Sequence, residues 1–411
     1  MIRNIVLLLG GNIMNYGIIK KYKERGMQVY VIDWNQYPAL KGDKHYAIDV
    51  KNPEKILNAL KADGVLDHVL FAYTSIDLAV PSVAKINSVV GLKTISEKGL
   101  LYSSSKSKMS NRWKEEELLN KMSLSFEDYT EKIEEINKSY KLIFKPDNSS
   151  SSRGITVVEK NSDFYILKNA FKKAKEEAAN GIVVVEEFVE GTEYTVEMIG
   201  DSYGNVCVYG ISRKAHTKNT EKNKIAVKLH YNGVGNTLQK KIAEFAIKCY
   251  KALYLSASLG HLEVIVKDDG SISPVEIGAR SSGNIASDLV DIVSGIIFLD
   301  ELLRVYNGGH VYNGLHKQTE MSSVYYFYDF PAGSYIKKEA CILDYCDSSI
   351  SSRFFDRRFL SVGNKFTTIN SDNARYGYEI LEGPKSLMTI DYIDKVEKNM
   401  MKDVLEYGKN F

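Results

Sequence analysis

The segment from His261 to Arg280 reads His-Leu-Glu-Val-Ile-Val-Lys-Asp-Asp-Gly-Ser-Ile-Ser-Pro-Val-Glu-Ile-Gly-Ala-Arg. Asp269-Gly270 is a two-residue hairpin signal between two apolar runs. Counted from that loop, Lys267 faces Ile272, Ile265 faces Pro274, and Glu263 faces Glu276. Like charges directly opposite each other destabilise a sheet. A divalent cation between them removes the repulsion and finds the hard oxygen ligands that magnesium takes. Two solvated carboxylates on an exposed face are the alternative. Arg280 lies four residues beyond Glu276, just past the strand, and its rigid fork of donors suits phosphate oxygens.

Two other segments carry possible chemistry. Lys141-Leu-Ile-Phe-Lys-Pro-Asp-Asn-Ser-Ser-Ser-Ser-Arg-Gly154 is an apolar strand ending on Lys145, followed by a loop of small residues. Small residues let backbone N–H groups approach a polyanion, although an exposed hairpin tip has the same composition. It is not a P-loop, because G-x-x-x-x-G-K-[ST] is absent. Val183-Val-Val-Glu-Glu-Phe-Val-Glu-Gly-Thr-Glu-Tyr-Thr-Val-Glu197 is a buried strand, a glycine turn and a second strand. The end of such a strand can offer backbone groups to a base and a carboxylate to a sugar, and two plain sheet strands read the same way.

The first hundred residues must hold these segments in place. They alternate strand and helix: Ile5 to Leu9, a turn at Gly10-Gly11, a helix from Tyr16 to Arg25, a strand from Val29 to Ile32, a helix from Pro53, a strand from His68 to Ala72, then Asp77 and another helix. That order implies a parallel sheet with helices on its faces. Gly10-Gly11 lacks the G-x-G-x-x-G of a dinucleotide fold. A polar stretch from Ser103 to Glu117 follows. Strands dominate from Thr195, with helices expected at Leu238 to Leu253, Ala286 to Tyr306 and Asp391 to Leu405. The basic run Arg213 to Lys228 reads as a solvated loop or a substrate lid.

The chain has 411 residues, which favours two or three domains. Its net charge of +2 lacks the basic excess of a dedicated nucleic-acid binder. No apolar run has the length of a membrane span, and a signal peptide needs a longer one than Ile5 to Leu9. Cys207, Cys249, Cys341 and Cys346 form no metal or disulfide pattern. A cytoplasmic protein with reduced thiols is the expectation. His216, His230 and His261 are too scattered for a zinc site, and each reads as a structural histidine.

In this order and at these separations, the segments resemble the ATP-grasp superfamily. The resemblance is closest to the branch of L-amino acid ligases and carbamoyl-phosphate-synthetase-like proteins. Ser361-Val-Gly-Asn and Ala374-Arg-Tyr-Gly-Tyr-Glu-Ile-Leu-Glu-Gly383 resemble that branch's closing β-rich part. The resemblance implies an α/β and α+β chain: an N-terminal parallel α/β domain (1–97), a linker helix and small lobe (98–190), and a large lobe with a β-rich C-terminal subdomain (191–411). It implies ATP and magnesium, with manganese as a possible substitute, small-molecule carboxylate and amine substrates, and amide-bond formation through an acyl phosphate. It leaves a homodimer open.

Residue by residue, the resemblance makes Lys106 the first phosphate lysine, with Lys108 its rival, and Lys145 the second. Ser149, Ser150 and Ser151 fall in the loop that folds over the phosphates. Glu186, Glu187, Phe188 and Val189 fall in the interlobe linker that meets adenine, mainly through its backbone. Glu193 is implied as the ribose carboxylate, Glu263 and Glu276 as the metal ligands, and Arg280 as the catalytic arginine beside Lys145. Many members read Glu-x-Asn-x-Arg where this chain has Gly278, so a third metal contact is missing. A biotin-carboxylase-like reading is the nearest rival, but Asn284 stands where its base would be. A nucleotide-binding regulator without catalysis is the other.

Overall fold

The structure is a computed structural model that describes residues 2–149, 153–217, 225–231, 235–282, 286–356, 360–369 and 374–407. Strand β1 (Ile5–Leu9) is buried along its whole length, as a strand covered on both faces must be. It pairs in parallel with β2 (Gln28–Asp33) and β4 (Val69–Thr74), and β2 pairs with β3 (Lys44–Ala47). Helices α1 (Tyr16–Lys23), α2 (Pro53–Ala62) and α3 (Val80–Val89) connect them. Helix α2 starts where the sequence stops it sliding: the Asn52 side chain accepts from the Lys55 N–H at 3.0 Å, with Pro53 at the first turn. The strand β3 carried no alternation that marked it in the sequence.

Helices α4 (Glu97–Ser103) and α5 (Lys106–Glu115) lead to a small four-stranded sheet. Its strands are β5 (Ser123–Phe126), β6 (Leu142–Pro146), β7 (Thr156–Val158) and β8 (Val183–Glu187), in the order β5-β8-β6-β7. Helices α6 (Glu131–Asn137) and α7 (Phe164–Glu177) belong to the same lobe, and its core gathers Ile133, Phe144, Leu167, Phe171 and Val185.

The largest sheet begins with β9 (Thr192–Gly200), β10 (Val206–His216) and β11 (Ala226–Tyr231). After α8 (Asn236–Ala252) come β12 (Ser258–Val266) and β13 (Ile272–Gly278). Helices α9 (Ala286–Ser294) and α10 (Phe298–Tyr306) then replace the single helix expected there. Gly295 breaks it, at φ +70°. The chain closes through β14 (Gly314–Leu315), β15 (Met321–Phe327), β16 (Ser334–Ile336), β17 (Ser351–Asp356), β18 (Tyr378–Pro384), α11 (Ile390–Val404) and β19 (Leu405–Tyr407). Strands β15, β18 and β17 extend the large sheet in the order β13-β12-β9-β10-β11-β15-β18-β17. Strands β16 and β19 pair only with each other, as a separate two-stranded sheet. Among the described residues, no helix is long and apolar enough to cross a membrane.

One face of this sheet packs Val196, Val208, Leu262 and Ile277 on α8. The other meets the N-terminal domain. Trp113 of α5 is fully buried, and its indole N–H donates to the Cys249 carbonyl of α8 at 3.1 Å. Trp113→Ala should cost about 3–5 kcal/mol of stability in urea unfolding. Trp113→Phe, which loses only the hydrogen bond and the edge of the ring, should cost about 1 kcal/mol.

Candidate active site

The β12–β13 hairpin reaches the expected pairing by another route. Val266 stands opposite Ile272, Ile265 opposite Ser273 and Val264 opposite Pro274. The register then shifts, and Glu263 stands opposite Glu276 and His261 opposite Gly278. The loop is therefore three residues, Asp268 to Gly270, and not the expected two. Lys267 donates its N–H to Ser271 and Gly270 donates to Lys267, each at 2.9 Å, with Gly270 at φ +78°. Val275 is the extra residue of a bulge, next to Pro274, which has no N–H for the ladder. The bulge restores the facing glutamates that the longer loop alone would have put out of step.

Register assembles the rest. Glu197 lies opposite His261, Thr195 opposite Glu263, and Glu193 opposite Ile265. Ser212 lies opposite Thr195, which puts Lys214 and His216 on the same face two and four residues on. Lys214 bonds Glu193 and stands 3.0 Å from Glu263. His216 Nε2 is 3.0 Å from Glu193. His261 Nδ1 is 2.6 Å from Glu197, and its Nε2 is 3.6 Å from Glu263. The run Arg213 to His216 is thus strand and site, not solvated loop, while 218–224 lie outside the described residues. His261 is no bystander either: it sits between two carboxylates of the site.

Burial drives the His261 imidazole down, but Glu197 and Glu263 outweigh it and raise it to about 9. Burial opposes ionisation of Glu263 too, yet Lys214 and His261 hold it well below the usual carboxylate range. Lys214 is raised, because Glu193 and Glu263 overcome its desolvation. The site is a set of compensated charges.

Lys106 is the first residue of α5, and Asp147 places it. The buried Asp147 carboxylate accepts from Ser105 Oγ at 2.9 Å and from the Ser107 N–H at 2.7 Å, while the Asp147 carbonyl accepts from the Lys106 N–H at 3.0 Å. Lys106 Nζ then reaches Glu276 at 2.9 Å and the Ser149 carbonyl at 2.8 Å. Lys108 is exposed and points elsewhere along the helix. Ser150 and Ser151 lie outside the described residues.

Lys145 on β6 is buried and pairs with Glu186 at 2.6 Å, as Lys121 does at 2.8 Å. Ser123 Oγ also donates to Glu186, at 3.1 Å. Burial pushes the Glu186 carboxyl up, and the two lysines more than reverse this, so it stays ionised. Its side chain is thus committed inside the lobe. The expectation of a linker that offers its backbone also narrows: the Glu187 N–H donates to Met122 and the Phe188 N–H to Lys141. Val189, itself buried, keeps an amide with no partner among the described residues.

Arg280 lies just past β13. Its Nη2 donates to Asp77 at 2.7 Å and its Nη1 to the Ser281 carbonyl at 3.1 Å, while its buried Nε has no partner among the described residues. Burial works against the guanidinium's charge, and Asp77 outweighs it. Asp77 opens a 3-10 turn, Asp77–Ala79, after β4. The Tyr73 hydroxyl from β4 bonds the Ser281 hydroxyl. Glu197, Lys214, Asp147, Lys121 and Asp77 are not singled out by the sequence, and His261 reads there only as a structural histidine. Only the basic run around Lys214 gave a signal.

Against this geometry, residues 138–288 match the ATP-grasp domain family. The chain carries an ATP-grasp domain within a mixed α/β fold of the same kind as several solved ligases and carboxylases. Among these are the L-amino acid ligase of Bacillus licheniformis (TM-score 0.73, 16% identity, 100% of both chains) and the phosphoribosylglycinamide synthetase of Anaerococcus prevotii (TM-score 0.69, 18% identity, 98% of this chain and 100% of that one). The biotin carboxylase domain of the Hydrogenobacter thermophilus 2-oxoglutarate carboxylase, solved with MgADP and bicarbonate, is another (TM-score 0.70, 15% identity, 99% of this chain and 91% of that one). No curated protein sequence matches the chain.

Glu263 and Glu276 fit a magnesium ion as a donor pair, since magnesium is commonly held by one or two carboxylates plus phosphate and water oxygens. Among the described residues, no three His, Cys, Asp or Glu side chains converge as a self-sufficient cage.

The raised His261 gives a pH prediction. A folded-state value of about 9 against 6.5 unfolded contributes stability that is full below pH 6.5 and is lost as pH rises through 9. The thermal midpoint of the metal-free protein should fall between pH 6.5 and 9.5. His261→Gln should flatten that decline.

Proposed function

We propose that the chain is an ATP-dependent carboxylate–amine ligase that activates a carboxylate as an acyl phosphate. The observation that carries the reading is the facing pair Glu263 and Glu276, with Arg280 four residues on and Lys106 already bonded to Glu276. The Val189 amide, without a partner among the described residues, suits an adenine nitrogen, and Glu193 the ribose hydroxyls. The strand ends at Gly191, Glu193, Lys214 and His216 border a cavity of about 450 Å³, within the size range of small-molecule sites.

Phosphoryl transfer demands positioning and charge neutralisation more than covalent help from the protein. Magnesium, for which manganese can stand in, would be held by Glu263 and Glu276 and would supply charge neutralisation at the phosphates. Lys106 would turn from Glu276 to phosphate oxygens, and Lys145 would face the same polyanion from the small lobe. Arg280 would steady the transferring phosphoryl group and then the oxyanion formed when an amine attacks the acyl carbon. The loop from Ser149 would exclude water from the acyl phosphate. An amino acid on at least one side is the substrate class we favour.

The test is ADP release with amino acids singly and in pairs, with hydroxylamine to trap acyl phosphate and a bicarbonate arm to expose carboxylation. Glu276→Ala and Arg280→Ala should each lower turnover by about 10²–10³-fold on the cognate pair. Full turnover in either variant removes the assignment. ADP release that depends on bicarbonate alone replaces it with the carboxylase reading.

A further inference from the structure

Gly278 is the position where Glu-x-Gly-x-Arg departs from Glu-x-Asn-x-Arg, and the structure shows what lies there instead. Gly278 stands opposite His261, on the face that carries Glu263 and Glu276. A Cβ at residue 278 would come within 3.0 Å of Asp77 Oδ1 and 3.2 Å of Arg280 Cζ. Both contacts are inside van der Waals distance. The other carboxylate oxygen of Asp77 holds Arg280 Nη2 at 2.7 Å. The room left by the missing side chain is therefore filled by a carboxylate from the N-terminal domain.

We infer that Asp77 is a positioning residue for Arg280, and that Asp77 and Gly278 form a matched pair in which the N-terminal domain completes the site in place of a side chain at residue 278. Asp77 takes one end of the guanidinium fork and the Ser281 carbonyl a second nitrogen. The buried Nε–H is left as the donor without a partner among the described residues. An unmade hydrogen bond of that kind is costly in a closed site, and an oxyanion ligand would satisfy it. The Tyr73–Ser281 hydroxyl pair anchors the same stretch of chain to the same domain. Two contacts from β4 and its following turn thus fix residues 280 and 281, although neither belongs to the ATP-grasp lobes.

The kinetic arm of the test rests on the ligase reading, and the stability arm does not. Asp77→Asn keeps the volume and removes the charge. It should lower kcat for ADP release at least about tenfold, with KM for ATP within about twofold, because Arg280 loses its orientation and not its nucleotide. Gly278→Asn in the wild-type background should lose at least as much, since the new side chain meets Asp77. The double variant Asp77→Ala/Gly278→Asn should regain about fivefold or more over Gly278→Asn. In thermal unfolding, the loss in the double variant should be smaller than the two single losses added together. If Gly278→Asn does not fold, Gly278→Ala carries the same cycle, because its Cβ alone makes the close contact. The inference is overturned if Asp77→Asn and Asp77→Ala keep kcat within twofold, or if the midpoint losses add. If the wild type releases no ADP with any carboxylate, the ligase reading fails, and the unfolding cycle alone decides whether Asp77 and residue 278 share one space.

Discussion

Two carboxylates facing each other across a half-buried hairpin set the terms for everything around them. Glu263 and Glu276 cannot both stay ionised there without cations close by, and burial of any one charge is repaid only when its partners are well placed. The protein supplies those partners from separate stretches of chain. Lys106 comes from the start of α5, Lys214 from β10, His261 from β12 itself, and Arg280 from beyond β13. Three of the four are in turn shared with another acid: Lys214 with Glu193, His261 with Glu197, Arg280 with Asp77. Neutrality at the hairpin therefore requires the small lobe, the large sheet and the N-terminal domain to be folded and in contact together.

The same arrangement suits exchange of partners. On the ligase reading, a nucleotide polyanion brings new acceptors for Lys106, and its accompanying cation brings a new partner for Glu276. Neither group is stranded in a low-dielectric site while the exchange proceeds, so the charged site is stable without ligand and still open to it. A hairpin lined with apolar residues would be easier to bury but could not make that trade.

What the sequence revealed tracks how local each interaction is. Glu263 and Glu276 are thirteen residues apart along one hairpin, and turn chemistry was enough to pair them. Even so, the pairing survived because two local deviations cancel, a longer loop at Asp268 to Gly270 and a bulge at Val275. The choice between Lys106 and Lys108 could not be made locally, because it depends on Asp147 capping α5 from some forty residues away. Asp77 meets Arg280 across 203 positions, and Glu197 meets His261 across 64. No periodicity or spacing encodes such meetings. The Glu186 side chain is hidden from sequence for a related reason: the segment reads as linker backbone, and Lys121 and Lys145 converge on the carboxylate only in the folded lobe.

That buried Glu186 bears on how the two lobes can work as units. Its carboxylate joins β5, β6 and β8 through Lys121, Lys145 and Ser123, so the orientation of Lys145 is fixed from within the small lobe. Asp147, on the same lobe, fixes the first turn of α5 and with it Lys106. The far end of α5 is fastened to the large lobe, through Trp113 to Cys249 and Arg112 to Ala252. Both candidate phosphate lysines are thus referenced to one rigid body, and both candidate metal carboxylates to the other. Helix α5 links them, bonded along its middle as well as at its ends: Ser110 to Glu186 of the small lobe, and Met109 to the Ile277 N–H of β13. Any motion that admits a nucleotide between the lysines and the glutamates must exchange the Lys106–Glu276 ion pair, while the bonds that orient each lysine from the small lobe can stay in place.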